Sequence, residues 1–305
     1  MSAQQVAFFS ITELGEKTGV NPVTLRAWER RYGLLKPKRN DRGYRVYVEA
    51  DYARVVSVLA WIERGVSIGR IKPLLDNSEQ SFEVDSEDES LVLALDCLEC
   101  GDLRRLERVY ETWLRSYPQA YIIDQKWKPL FGLLRGKVEP GAESSVALLA
   151  SFIEQKMQAR LLKHLPTKRH PGILLIPVGD DSSLNALFLH VMLTQGSAVP
   201  VTRLSRSVEA SEYPFMASYD LYCGVIFVVS AGMSATAVTH HLNSVVKRIA
   251  KPVAIVGEAL PSLPHLVRAG ASTLMVQSGQ ATTVASALVG SGWIAETVTS
   301  SGGQG

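Results

Sequence analysis

Basic residues suited to binding phosphate are concentrated in one short stretch of the sequence, residues 21–47. An arginine bonds to phosphate oxygens or to the edge of a guanine, and a short helix that carries arginines fits the major groove of duplex DNA. In the first part of the stretch, an apolar helical stripe is surrounded by Thr24, Arg26, Arg30 and Arg31. The second part is extended and contains Lys36, Lys38, Arg39, Arg42 and Arg45. These residue types and spacings indicate a surface for a polyanion.

The charge of the chain is divided unevenly between its two ends. Residues 1–75 carry 13 Lys and Arg against 7 Asp and Glu, a net charge of +6. Because the whole chain carries +2, the remainder carries −4. A basic head on a mildly acidic body predicts that the head binds a polyanion and that the body has another role.

Local signals predict that two helices joined by a tight turn position the first group of basic residues. Ser10 and Glu13 have the spacing of a capping box for a helix over 11–18. Gly19 is suited to end that helix. Asn21, followed by a proline, then caps a second helix, because a proline at the first helical position sacrifices no hydrogen bond.

The second group of basic residues is predicted to lie on a β-wing. Residues 34–47 read as two short extended arms around a turn at 40–43. A third helix is predicted over 49–64, and Ser67 is suited to cap a fourth. Together these elements predict a winged helix-turn-helix in the first 76 residues.

The text ITELGEKTGVNPVTLRAWERRYGLLKPKRNDRGYRVY resembles the winged helix-turn-helix of the MerR family of transcription regulators. Within it, TLRAWERRYGLLKPKR resembles the MlrA-like and CarH/LitR-like branch, which has tryptophan at this helix position. The resemblance implies a homodimer that binds a pseudo-palindromic promoter site. It also implies an activator whose double-stranded promoter DNA has an overlong spacer. The protein distorts this DNA so that RNA polymerase can engage it.

Carried over to this sequence, the family pattern assigns positions to the recognition helix and to the wing. Thr24 and Arg26 fall on the recognition helix and Tyr32 at its end, whereas Arg42, Tyr44 and Arg45 fall on the wing motif. Phosphate contacts set the register, and base contacts and DNA deformability supply sequence preference. The predicted DNA-binding residues are Asn21, Thr24, Arg26, Arg30, Tyr32, Lys38, Arg39, Arg42, Tyr44 and Arg45.

The middle of the chain is predicted to be a polar linker over 77–89 and a four-helix bundle over 90–168. Apolar residues recur there at helical spacing. Cys97 and Cys100 have no second cysteine pair and no nearby histidines, so we interpret them as two thiols on successive turns of a bundle helix and predict no metal site.

The last part of the chain, 169–296, alternates strand and helix patterns, beginning with the continuous apolar run 173–178. This alternation predicts an open parallel sheet, with any ligand at the carboxyl ends of the strands. Later elements include a helix over 260–269, and the Ser/Gly tail 297–305 is predicted to be disordered. The predicted fold class is therefore multidomain: a mainly α winged head, a four-helix bundle and a Rossmann-like α/β domain.

A bundle followed by such a domain resembles the cobalamin-binding module of the CarH/LitR regulators. In that module, the loop after the first strand carries Glu/Asp-x-His-x-x-Gly, and the histidine coordinates cobalt. Here the matching positions hold Asp180, Ser182 and Asn185, so that histidine and glycine are absent. The bundle pattern Trp-x9-Glu-His falls on Ser144, Glu154 and Gln155. Because a hydroxyl does not replace imidazole as a cobalt ligand, we expect the shape of a B12-binding domain without a cofactor.

The predicted function is therefore transcription regulation, with the degenerate module sensing a small ligand or a protein partner. The rival interpretation is a cobalamin-dependent, light-responsive MerR-type regulator or a corrinoid-binding protein, and it depends on the architecture alone. An enzyme is not predicted, because Asp180 and Asp181 accompany no recognisable nucleophile or phosphate loop.

Two further patterns bear on location. We find no signal-peptide pattern at the start of the sequence. No apolar run approaches the roughly 20 residues that a membrane span needs. We therefore expect a cytoplasmic protein without a membrane partner.

Overall fold

The computed structural model describes most of the chain, in two compact units, Met1–Leu149 and Ala150–Gly305. The described residues are 8–64, 66–76, 89–162, 171–179, 182–196, 199–258, 260, 273–278 and 281–294. The expected tail 297–305, nearly all of the expected linker and nearly all of the helix expected over 260–269 lie outside them.

The first two helices form where the capping signals predict them. Helix α1, Ile11–Thr18, begins with a reciprocal capping box, in which the Glu13 N–H donates to Ser10 Oγ at 3.2 Å. It ends at Gly19, whose φ of 70° lies in the left-handed region that favours glycine. Helix α2, Pro22–Ala27, begins at Asn21, whose Oδ1 accepts from the Val23 N–H at 2.8 Å.

Helix α2 continues into a π-helical segment, Trp28–Tyr32, which the sequence analysis did not predict. The segment ends at Gly33, with φ of 60°, and the Gly33 N–H donates to the Trp28 carbonyl. The wider π turn moves the end of the recognition helix relative to a regular α-helix. This π segment lies at the junction between the helix and the wing. Such segments occur often at functional sites.

The wing follows as strands β1, Lys38–Arg39, and β2, Arg45–Val46, paired antiparallel. Helices α3, Glu49–Glu63, and α4, Ile68–Asp76, complete the head. One apolar cluster joins these elements, and its buried members are Leu14, Val20, Leu25, Trp28, Leu34, Leu35, Tyr47, Val55, Val58, Ile62, Ile68 and Ile71.

The close approach of α1 and α2 depends on a glycine. A Cβ added at Gly15 would lie 2.8 Å from the Val20 carbonyl oxygen and 3.3 Å from Pro22 Cδ, whereas one at Gly69 on α4 would meet nothing within 4 Å. We therefore expect Gly15→Ala to lower the free energy of unfolding by about 1–3 kcal/mol, since the two helices must separate.

Gly69→Ala provides the matched control, because it makes the same substitution in an open helical position. It should leave the free energy of unfolding unchanged or raise it by up to about 1 kcal/mol. Thermal unfolding of the two variants measures both effects. Equal effects would contradict the close packing at Gly15.

The remaining described residues of the first unit form mainly helices. Its helices are α5, Glu89–Glu99; α6, Leu103–Ser116; α7, Gln119–Ile122; α8, Lys128–Arg135; and the start of α9, Ala142–Leu161, with a π segment Ile123–Trp127 between α7 and α8. Trp113 and Trp127 pack edge to face, with ring centroids 5.1 Å apart.

Cys97 is buried, which raises the pKa of its thiol. Among the described residues there is no cluster that could hold a metal ion.

The second unit is built on five parallel strands, as the alternating pattern predicts. The strands are β3, Gly172–Val178; β4, Val201–Arg203; β5, Tyr222–Val229; β6, Val253–Gly257; and β7, Thr273–Gln277. Their order across the sheet is β4-β3-β5-β6-β7. None of the described helices is long and apolar enough to cross a membrane.

Helices cover both faces of this sheet. On one face, α10, Ser182–Gly196, and α13, Ala281–Gly290, pack against the apolar residues of the strands. On the other, α11, Tyr213–Ala217, and α12, Ala235–Val246, do so. The short helix α11 and the burial of Trp293 in the first of these faces were not predicted.

Candidate nucleic-acid interface

Most of the basic residues predicted to bind DNA lie on the surface of the head. Arg26 and Arg30, four positions apart, lie on one side of the recognition helix, and the neighbouring Val23 is 58% exposed. The exposed members of the predicted set are Asn21, Arg26, Arg30, Lys38, Arg39, Arg42, Tyr44 and Arg45. The helix and the wing thus present positive charge to solvent together.

The tip of the wing is fixed by its own hydrogen bonds. Asn40 Oδ1 accepts from the N–H groups of Arg42, at 3.1 Å, and Tyr44, at 2.9 Å. The Arg39 guanidinium donates to the Gly43 carbonyl at 2.8 Å, and Gly43 has a φ of 79°. These bonds hold the turn while the side chains of Arg42 and Tyr44 remain exposed. The turn lies where it was predicted, at 40–43, but the bonds of the Asn40 side chain were not predicted.

Arg45 of the wing is paired with Glu29 of the recognition helix. Its Nε donates to both carboxylate oxygens, at 2.8 and 3.0 Å. This hydrogen bond and the charge of Glu29 raise the pKa of Arg45. The pair joins helix to wing, and it also places a carboxylate within a surface suited to phosphate. Sequence analysis missed Glu29.

We expect Glu29→Gln to tighten binding to duplex DNA by about threefold to tenfold at low salt, because it removes a repulsive charge and releases Arg45. The gain should shrink as added salt screens the charges. Fluorescence anisotropy with a labelled duplex measures both. Glu143→Gln is the matched control, since it removes one exposed carboxylate from α9 instead. Equal gains in both variants would show that only net charge matters.

Thr24 and Tyr32 differ from the other predicted residues because they face α6. Thr24 is 1% exposed, and its hydroxyl donates to the Leu114 carbonyl at 3.4 Å. The Tyr32 hydroxyl lies 3.1 Å from Ser116 Oγ. While these contacts stand, Thr24 has no access to DNA. Nothing in a single sequence signals contacts between residues that lie so far apart in the chain.

The family described as MerR HTH family regulatory protein matches residues 9–78, which are the residues of the winged head. The mercuric resistance operon regulatory protein of Bacillus cereus is 32% identical over 105 residues, covering 33% of this chain and 79% of that protein. The chain belongs to the MerR family. The resemblance inferred from the recognition-helix and wing motifs is confirmed at this level.

Two other MerR-type relatives extend the similarity further along this MerR-family chain. The transcriptional regulator MlrA of Escherichia coli (strain K12) is 37% identical over 145 residues, 48% of this chain and 58% of MlrA. The chain therefore spans somewhat more than half the length of MlrA. The transcriptional repressor CarH of Myxococcus xanthus is 26% identical over 222 residues, 67% of this chain and 73% of CarH.

Among solved structures, the monomethylamine corrinoid protein of Methanosarcina barkeri is similar at a TM-score of 0.45 with 15% identity. The match covers 65% of this MerR-family chain and 97% of that chain.

In the second unit, the strand order reverses between β3 and β5. In open parallel sheets, the crevice that holds a ligand lies at such a point, beyond the carboxyl ends of the strands. Gly179 follows β3 and Ser230 follows β5, and Met233 packs against both. A Cβ added at Gly179 would lie 2.8 Å from the sulfur of Met233 and 2.9 Å from Ser230 Cβ. The crevice is therefore closely packed at this point.

The positions that match the cobalt-binding pattern have other contacts in this MerR-family chain. Ser182 is fully buried, and its hydroxyl donates to the Gly179 carbonyl at 2.5 Å. Asn185 is half-buried on α10, and Gln155 is exposed on α9. Glu154 lies 3.7 Å from the buried guanidinium of Arg203. Asp180 lies outside the described residues.

The described histidines of the second unit are His190, His240 and His241. Burial, followed by the nearby charge of Arg203, lowers the pKa of His190 to about 4, so its ring is neutral at pH 7. His241 Nε2 lies 3.2 Å from the hydroxyl of the buried Tyr213. His240 is exposed on the same helix as His241.

Proposed function

We propose that this chain is a sequence-specific DNA-binding transcription regulator of MerR type. The observation that carries the proposal is the shared surface of α2 and the wing, where Arg26, Arg30, Arg42 and Tyr44 are exposed together. The recognition helix enters the major groove, and the wing follows the phosphate backbone. Residues 1–76 are the DNA-binding domain, and residues 90–168 and 169–296 are the bundle and the sensing domain.

The working form is a homodimer that binds a pseudo-palindromic promoter in the cytoplasm. Each head occupies one half-site, so the spacing of the half-sites reflects the distance between the two heads. We propose that the dimer distorts promoter DNA so that RNA polymerase engages it, which makes the protein an activator. Since the relative CarH is a repressor, the sign of regulation needs its own measurement.

The test is genome-wide mapping of the DNA that the full-length protein occupies, followed by binding to the recovered sequence. We expect an inverted repeat whose two half-sites both contribute, with binding at least about a thousandfold tighter than to a shuffled duplex. Transcription from the bound promoter should rise when the protein is added with RNA polymerase. Equal binding to every duplex contradicts sequence-specific regulation, and a fall in transcription contradicts activation.

We further propose that the second unit keeps the architecture of a cobalamin-binding module without holding cobalamin, so that it senses a protein partner or another small ligand. Two features support this proposal: the buried Ser182 hydroxyl is bonded within the chain, and Met233 fills the space beside Gly179. The residues present therefore do not fit a corrin and its cobalt.

The second candidate function is a cobalamin-dependent, light-responsive regulator, which the extended similarity to CarH favours. Titration of the purified protein with adenosylcobalamin in the dark separates the two. We expect no co-purifying visible absorbance and no stoichiometric change in the corrin spectrum. A stoichiometric corrin spectrum would establish the cobalamin-dependent alternative instead.

A further inference from the structure

The last turn of α6 packs along one side of the recognition helix. Three side chains at four-residue spacing make the contact: Thr24 donates to the Leu114 carbonyl, Trp28 Nε1 donates to the Ser116 carbonyl at 2.8 Å, and Tyr32 pairs with Ser116 Oγ. Trp28 is fully buried, and Ser116 is 4% exposed. The contact is therefore largely buried and is made by specific hydrogen bonds.

The head supplies hydrogen-bond donors to the last carbonyl groups of α6. The last carbonyls of a helix have no partner within it, and Pro118 has no N–H to donate to Leu114. The Thr24 hydroxyl and the Trp28 indole satisfy these carbonyls from the recognition helix. These hydrogen bonds stabilise the end of α6. Their donors, Thr24 and Trp28, belong to the recognition helix, which is expected to enter DNA.

On the bundle side, the contact is held by aromatic packing. Tyr117 and Tyr121 stack with ring centroids 4.6 Å apart, and both pack against the apolar cluster of the head. The buried Lys126 ammonium lies 5.3 Å from the ring of Tyr117 and 5.6 Å from that of Trp113. The end of α6 therefore cannot move away from the head without disturbing this packing.

The position of α6 limits how far α2 can enter DNA. A helix with its side chains is about 10–12 Å across, which nearly fills a major groove about 12 Å wide. A second helix packed alongside has its axis about 8–10 Å away, where the groove wall would lie. On α2, Thr24, Leu25 and Ala27 are buried, and Thr24 bonds to α6, whereas Arg26 of α2 and Arg30 of the following π segment remain exposed. The open side can touch phosphates, but the helix cannot be seated between the strands.

We propose that the last turn of α6, Leu114–Ser116, is an autoinhibitory latch on the recognition helix, and that full engagement of DNA requires its release. The inference rests on the proposed DNA-binding function. In the closed form, Thr24 is covered and the head makes shallow, salt-sensitive contacts. In the open form, Thr24 joins the base-reading face, and signals that displace α6 increase affinity.

The test uses the full-length protein and the duplex recovered by genome-wide mapping. Ser116→Ala removes the bond to Tyr32, and Ser116→Gln also places a larger uncharged side chain against the recognition helix. We expect Ser116→Ala to bind the site about two- to tenfold more tightly, in proportion to one lost hydrogen bond, and Ser116→Gln to bind more tightly still. Ser145→Ala is the matched control, since it removes a buried serine bond to the Leu98 carbonyl away from the head, and its affinity should not change.

Hydrogen–deuterium exchange gives a second readout that does not depend on a variant. Binding of the site duplex should increase exchange in the segment 114–117, although binding normally protects amides. Unchanged or slower exchange there would overturn the latch, as would equal or weaker DNA binding by both Ser116 variants. If the unaltered protein shows no site preference, the proposed function itself fails, so the two failures are distinguishable.

Discussion

Replacing two of the three exposed arginines of the recognition helix, Arg26→Ala with Arg30→Ala, is expected to weaken binding to the specific duplex by at least about a hundredfold. Each arginine contact to a base edge contributes about 1–3 kcal/mol, and the proposed dimer would lose every contact twice. Arg26 on α2 and Arg30 on the π segment that continues it are both exposed. Fluorescence anisotropy at fixed salt measures the loss.

The control for this prediction is Arg104→Ala with Arg108→Ala on α6, which removes the same charge from exposed positions outside the head. It should reduce affinity only slightly, through the lower net charge. The recognition-helix variant should also reduce the magnitude of the log–log salt slope, by up to about 4 if all four arginines of the dimer neutralise phosphates. Equal losses in the two double variants would show that long-range charge, and not the recognition helix, determines affinity.

Trp28→Ala is expected to have the largest effect on stability. The side chain is fully buried in the apolar cluster of the head and donates to the Ser116 carbonyl. Loss of a buried tryptophan costs about 3–5 kcal/mol, a large part of the stability of a typical domain. The head should therefore unfold near physiological temperature, and specific DNA binding should be lost. Chemical denaturation followed by circular dichroism measures the first effect.

Trp61→Ala is the matched control for that change. Trp61 packs at the edge of the same cluster, is half-buried, and lies against the Arg64 guanidinium at 5.0 Å. Its loss should cost clearly less than that of Trp28 and should leave DNA binding measurable. If the two variants were equally stable, Trp28 would not be the centre of the head's core.

Much of the head was predictable because its signals are local. Ser10 with Glu13, Asn21 before a proline, and Gly19 determine where α1 and α2 begin and end, and each acts within a few residues. The alternation of apolar strands and helices likewise predicted the parallel sheet. Local hydrogen bonding and burial patterns are properties that a single sequence displays directly.

The features that could not be predicted depend on contacts between distant residues. The π turn at Trp28–Tyr32 differs little in sequence from an α-helical turn. The hydrogen-bond partners of Thr24 and Tyr32 lie on α6. The contact of Met233 with Gly179 depends on the pairing of β3 with β5, which brings the two residues together. Exposure predicted from residue type was therefore inaccurate for Thr24, where tertiary packing covers a polar side chain.

The most direct test of the account is the salt dependence of binding to the mapped inverted repeat and to a shuffled duplex of the same length. If each protomer neutralises about four phosphates, the slope of log affinity against log salt for the dimer is about −7. We expect this slope for the specific duplex, together with a large preference over the shuffled one. A slope near zero, or equal affinity for both duplexes, would contradict it.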